Sequence, residues 1–218
     1  MLTFDIMKFI LVIFFSCIFS FDFFSQQFEP FVGKFTYSIN IADTSLSAYF
    51  PEKKMVIYTN DSLLRIENYT EEFGIQVLIK HLVLNKSYLL LALDKGKFAI
   101  QTNHQNETQD SSRYQIEKKR GKTKICGINA KKILIHHPDL AKEESFYYFK
   151  NISPKYLNAF PEFPGLPVVY YLNSEFGLLK YQLIEIDEAV PNYDLFGIPS
   201  DFKKISFDDF VQEMIQTE

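Results

Sequence analysis

The chain has 218 residues, 47% hydrophobic and 17% aromatic, with no tryptophan and a formal net charge of −4. That apolar content is ample for a core and excludes a disordered chain. The mild acidity gives no field for gathering nucleic acid.

Residues 1–26 read as a secretory leader. Lys8, beside a second start at Met7, precedes the apolar run FILVIFFSCIFS, which Asp22 interrupts. A basic residue, an apolar core of about 7–15 residues and a small residue at the exit form a signal peptide. A spanning helix needs about 20 apolar residues, more than Asp22 leaves, so a retained anchor is the weaker reading. Cleavage after Ser25 puts Phe23 where a second small residue is usual. The expected single domain is 27–218. The alternative is lipidation at Cys17, where Ser16 precedes the cysteine as in a lipobox; the usual leucine is missing and bulky Ile18 and Phe19 follow.

The leader holds Asp5, Asp22 and Lys8, so the remainder carries −3. Its lone cysteine, Cys126, allows no internal disulfide, which suits a bacterial periplasm or cell surface better than a eukaryotic secretory route. Asn-x-Ser/Thr triplets at Asn60, Asn68, Asn85, Asn106 and Asn151 are read accordingly as chance.

Short strands follow. Residues 35–41 (FTYSINI) alternate apolar and polar with period two. Segments 55–59 and 63–69 flank the turn pair Asn60-Asp61, and 75–84, 88–93 and 98–102 are punctuated by Asn85-Lys86 and Asp94-Lys95-Gly96. The polar stretch 103–112 reads as a surface loop. Strands at 114–119 and 122–137 meet at a hairpin tip, Lys119-Arg120-Gly121, and 146–149 (FYYF) is another strand. Ser153-Pro154 has the form of a helix cap with proline at the first helical position, opening a short helix to about Phe160. Beyond a proline-rich break come strands 168–172 and 178–186. Ser206 caps a last helix whose stripe Phe207, Phe210, Val211 and Met214 is expected to bury against the sheet.

Connections this short allow only antiparallel pairing, since parallel pairs need long crossovers. The expected fold is mainly β (α+β): a curled antiparallel sheet of about 10–11 strands forming an open half-barrel, with one or two helices packed on it. Strands 146–149 and 168–172 are apolar on both faces, which points to a covered or lipid-filled interior.

The segment FPEFPGLPVVYY (160–171) resembles the Pro-Gly-Leu-Pro segment of the GLPGLI group of exported Bacteroidota proteins, which are similar to the LolA/LolB lipoprotein-carrier fold. Other pieces agree in order: Gly33-Lys34-Phe35-Thr36-Tyr37 with an opening strand, residues 125–132 (ICGINAKK) with a strand, Phe146-Tyr147-Tyr148 with an aromatic strand, and residues 195–202 (LFGIPSDF) with the close before the final helix. The resemblance implies an apolar-ligand cavity and supplies no catalytic residues.

Catalytic and metal patterns are weak. His136 and His137 point to opposite faces of a strand, and His81 and His104 lie on separate elements, so the three or four converging ligands of a zinc site are not assembled. Cys126 reads as a buried strand cysteine without a thiolate-stabilising neighbour. No G-x-S-x-G elbow and no phosphate-cradling glycine pattern occurs. The basic run from Lys118 to Lys124 could meet anionic headgroups or be a solvated turn.

The reading is an exported, non-enzymatic envelope protein without cofactor or metal. It would bind an acyl chain, lipid or lipoprotein anchor through Phe146, Tyr148, Val168, Tyr170, Leu179 and Tyr181. The alternative is a structural or assembly component acting through protein contacts.

Overall fold

The computed structural model describes residues 28–46, 50–70, 74–102, 115–136, 140, 143–157 and 163–215. The expected leader with Cys17 and Ser25, the 103–112 stretch with His104, His137 and the end of the helix expected at Phe160 lie outside them.

The described residues form one 12-stranded sheet and a C-terminal helix. The strands are β1 (Val32–Ile41), β2 (Lys53–Asn60), β3 (Leu63–Thr70), β4 (Gly74–His81), β5 (Lys86–Leu93), β6 (Gly96–Thr102), β7 (Gln115–Ile125), β8 (Ile128–His136), β9 (Glu144–Phe149), β10 (Leu166–Ser174), β11 (Gly177–Asp187) and β12 (Lys203–Ser206), followed by α1 (Phe207–Ile215). Their order is β12-β6-β5-β4-β3-β2-β1-β11-β10-β9-β8-β7. The curled, open antiparallel sheet is the expected fold, with one exception to its pairing: β12 lies parallel to β6. The four residues of β12 carry no strand pattern, so the sequence predicts about 10–11 strands.

Turn chemistry sets the meander. At the β2–β3 turn Asp61 takes φ +72°, and Asn60 Oδ1 accepts the Ser62 and Leu63 N–H groups at 3.2 and 2.8 Å. Asn85 takes φ +50° before β5. Both fit residues that tolerate the left-handed region. Register shifts fall between Thr36 and Tyr37, between Pro167 and Val169, and between Lys118 and Lys122. Such bulges bend a strand and add to its right-handed twist, so they curl the β1–β7 half of the sheet.

The sheet is apolar on both faces at β4–β6, and the C-terminal segment covers both. Side chains alternate along a strand, so Leu90 and Ala99 face one way while Leu91, Phe98 and Ile100 face the other. Ile198 and Phe202 pack on Val77, Ile79, Leu90 and Ala99, and Arg65 donates to the Leu195 carbonyl at 3.0 Å. The chain then rounds the sheet edge as β12 and lays Phe210 and Met214 of α1 over Leu91, Phe98 and Ile100. The Ser206 cap holds, with the Asp209 N–H donating to Ser206 Oγ at 3.1 Å. The stripe buries only in part: Phe207 stays 59% exposed and Val211 37%. A single helix lying at the edge of the sheet has no second layer to cover these two positions.

Two further corrections concern the middle of the chain. The expected helix after Ser153 is a single 3-10 turn, Pro154–Tyr156, with Ser153 accepting the Lys155 N–H. The hairpin tip is not Lys119-Arg120-Gly121. Those residues sit inside the long strand β7, and the turn is Cys126-Gly127, with φ +48° and +78°. Positive φ at both central positions defines a type I′ hairpin turn, a geometry a cysteine seldom supplies.

Tyr156 ties the start of β1 to the β2–β3 turn. Its buried hydroxyl accepts the Phe31 N–H at 2.8 Å and donates to Asp61 Oδ1, while Lys155 Nζ lies 2.5 Å from the same carboxylate. Burial pushes the Asp61 carboxyl up, but the hydrogen bonds from Lys155 and Tyr156 outweigh it and hold the group below its ordinary value of 3.8. A depressed carboxyl contributes stability that is complete above the unfolded value and is lost as pH falls through the folded one. Thermal scans should therefore show the wild-type Tm falling toward that of Asp61→Asn between roughly pH 5 and pH 2. A constant difference across that range would contradict the assignment.

Candidate functional site

The six residues expected to line a cavity do come together, inside the core. Phe146 is 0% exposed, Tyr148 5%, Val168 0% and Tyr170 1%, and Leu179 and Tyr181 pack half-buried against the same cluster. The register explains the convergence, because residues directly opposed across a ladder share a face. Tyr170 opposes Tyr181, and Leu172 opposes Leu179. Tyr181 in turn opposes Ile39 of β1, and Leu179 opposes Ile41.

Aromatic rings fill the space between them. Tyr170 stacks on Tyr181 with centroids 4.6 Å apart and planes at 12°, and Tyr37 meets Tyr170 edge-on at 5.8 Å. The Tyr37 hydroxyl donates to the Pro167 carbonyl at 2.8 Å. Burial pushes the hydroxyls of Tyr37 and Tyr170 far above their ordinary range and that of Tyr171 up to about 12. These hydroxyls therefore stay protonated at neutral pH.

The β7–β8 hairpin closes over this cluster. Cys126 Sγ lies 3.8 Å from the Leu183 carbonyl, although β9 and β10 separate β8 from β11 in the sheet. Only the curl brings them into contact. Cys126 is half-buried at a turn, not in a strand interior. Burial, with the Glu185 carboxylate adding to it, pushes its thiol up, and a thiol held protonated is a poor nucleophile.

The two described histidines, His81 and His136, stay apart. His136 sits between Glu117 and Glu143 at 3.6 and 3.4 Å, and His81 Nδ1 accepts the Leu84 N–H at 3.1 Å. Among the described residues no group of three or more His, Cys, Asp or Glu side chains could hold a metal. No helix among them is long and apolar enough to cross a membrane.

A surface cleft of about 730 Å³ opens elsewhere, at the end of the sheet where β1 begins and β9 ends. The chain before β1 (Glu29, Phe31), the β7–β8 ribbon (Lys122, Ile128, Lys131) and the exit of β9 (Lys150, Ile152) form its walls, with Glu188 at the margin. The Glu29 N–H donates to the Asn151 carbonyl at 3.0 Å and pins the first wall to the third. Its size is within the range of ordinary ligand sites. Its lining mixes apolar side chains with charges of both signs. Sequence reasoning missed this cleft. Lys122 and Lys131 oppose each other in the ladder, but that pairing is visible only once the turn is placed at Cys126-Gly127.

The fold is thus an open, curled antiparallel half-barrel with its apolar face filled and a charged cleft at one end. No protein-family model matches the chain, and no curated protein matches it. Solved structures do. PNGF-II in its C2 crystal form aligns at a TM-score of 0.51 and 13% identity over 84% of this chain and 32% of that one. The P21 form gives 0.49 with the same identity and coverage. MucB, solved in complex with MucA(peri), gives 0.45 at 12% identity over 79% of this chain and 56% of MucB. This chain therefore spans about a third of PNGF-II and little over half of MucB. The likeness to PNGF-II shows the fold alone.

Proposed function

We propose that this chain is an exported, non-catalytic binding protein of the bacterial cell envelope, belonging to the GLPGLI group, that works by holding another envelope protein. The observation that carries the reading is the filled interior. Tyr170, Tyr181 and Tyr37 pack against one another where a lipid carrier would need space, while the open cleft is lined in part by charge. A cleft lined by apolar side chains and charges of both signs matches the anatomy of a protein contact better than that of an acyl pocket.

Affinity purification from envelope extracts tests the reading. One partner should be recovered in stoichiometric amount, and repeated recovery of none counts against it.

A second reading, an acyl chain or lipoprotein anchor held beside Tyr170, draws on the half-buried row Leu172, Leu179 and Tyr181 at the margin of the core. It requires these side chains to move apart. Export through the leader at 1–26, with lipidation at Cys17 as its alternative, places either activity in the periplasm or at the cell surface.

A further inference from the structure

We propose that the cleft between the chain before β1, the β7–β8 ribbon and the exit of β9 is a docking site for an extended protein segment carrying alternating acidic and apolar residues. The inference rests on the reading of the chain as a protein-binding envelope component and names the surface and the chemistry of the partner.

The central observation is a pair of like charges. Lys122 and Lys131 stand directly opposite each other in the β7–β8 ladder. Directly opposed side chains have Cβ atoms about 4.5–5.5 Å apart, and like charges there are destabilising. Neither ammonium has an ion-pair partner among the described residues, and both line the cleft. Opposed like charges of this kind disfavour the free protein, and an anion seated between the two side chains would offset that.

Lysines on an edge strand are commonly explained as protection against edge-to-edge aggregation. That explanation serves Lys118, Lys119, Lys122 and Lys124 on the outermost strand. It does not serve Lys131, which sits on β8 with strands on both sides. The parity of the ladder places Lys122, Lys124 and Lys131 on one face, with Lys150 across the cleft. This cationic concentration sits on a chain whose net charge is −4, so it orients an acidic partner instead of attracting polyanions to the whole surface.

The apolar lining selects what accompanies the charge. Phe31, Ile128 and Ile152 line the cleft together with the lysines and with the glutamates Glu29 and Glu188. A bare phosphate would leave this apolar surface unused and would meet the two carboxylates. An extended segment presents side chains to alternate faces with period two, so it can set carboxylates against Lys122 and Lys131 and its apolar neighbours against Phe31 and Ile152.

Fluorescence anisotropy tests the site with a labelled peptide that alternates glutamate with leucine and serine, its glutamine counterpart, and vesicles containing anionic phospholipid. The glutamate peptide should bind and weaken as salt rises, and the glutamine peptide should bind at least tenfold more weakly. Lys122→Gln with Lys131→Gln should lower affinity for the glutamate peptide roughly tenfold or more and raise the Tm of the free protein by about 1–3 °C. Lys54→Glu, at the opposite end of the sheet, should change neither. Equal binding of the two peptides, unchanged binding in the double variant, or capture of the vesicles in preference to the peptide would overturn the proposal. If the double variant still retains a stoichiometric envelope partner, the protein-binding reading stands and the cleft is excluded. If no partner is found but the peptide binds as described, the site stands and that reading fails.

Discussion

Gly165→Ala is expected to cost about 3–5 kcal/mol, a large fraction of the stability of an ordinary domain. A Cβ at this position would lie 2.0 Å from the Phe149 carbonyl oxygen, 2.9 Å from its carbon and 3.0 Å from Tyr148 Cδ2. The first two neighbours are backbone and cannot swing aside. Relief would require β9 and β10 to separate where they are joined, through Leu166 opposite Phe149 and the Leu166 N–H on the Ile152 carbonyl at 2.8 Å. This is the physical content of the Pro-Gly-Leu-Pro segment: glycine admits β9's backbone, and Leu166, 0% exposed, anchors the strand that follows. Gly33 repeats the device at the start of β1, where a Cβ would lie 2.2 Å from the Asp187 carbonyl oxygen. Gly74→Ala is the control. Its Cβ would meet nothing within 4 Å, so only the strain of φ +64° remains, on the order of 1 kcal/mol. Urea titration of the three proteins measures the differences, and a Gly165→Ala midpoint no lower than that of Gly74→Ala would contradict the close approach.

Tyr170→Ala is the second large effect, with an expected loss of about 3–5 kcal/mol. The ring is 1% exposed and is packed by Tyr181 on its face and by Tyr37 at its edge. Removing it leaves an aromatic-lined void that β10 and β11 cannot collapse around, because each is held on both sides by a neighbouring strand. The size of the loss separates the two readings of this residue. A side chain that lines a ligand cavity in the free protein is expendable for stability and essential for binding, whereas a core side chain is the reverse. Tyr37→Phe should cost less, about 1–3 kcal/mol, because it removes the hydroxyl on the Pro167 carbonyl and keeps the ring. A Tyr170→Ala protein as stable as wild type would mean that the interior is a cavity after all.

The fold was legible where pattern and turn chemistry agreed. Period-two alternation in β1 and the Asn60-Asp61 turn identify strands and their hairpin partners without tertiary information. Short connections exclude parallel crossovers for all but β12, which follows β11 and a long covering segment instead of a hairpin. The β7–β8 hairpin was misread because Lys119-Arg120-Gly121 has turn composition while Cys126-Gly127 does not advertise one. Glycine at the second position of that turn is the single local clue, and the isoleucines at 125 and 128 that flank it are the matching strand ends. That one misplacement hid the opposition of Lys122 and Lys131, and with it the cleft.

The six apolar residues share one cluster because strands apolar on both faces must be covered. Whether a ligand or the protein's own side chains cover them depends on sheet curl. Curl is set by the bulges at Thr36/Tyr37 and Pro167/Val169, which leave no mark on apolar periodicity. The C-terminal stripe failed for a related reason. A helical wheel shows which residues share a face and not how much sheet lies beneath them, so Phe207 and Val211 remain in solvent.

Native mass spectrometry of the protein purified from the cell envelope tests the central claim most directly. The account expects the mass of the polypeptide alone, or of the polypeptide with a protein partner, because Tyr170, Tyr181 and Tyr37 occupy the interior of the half-barrel. An adduct of one acyl-bearing lipid per chain, retained under gentle ionisation and released by organic extraction, would contradict it.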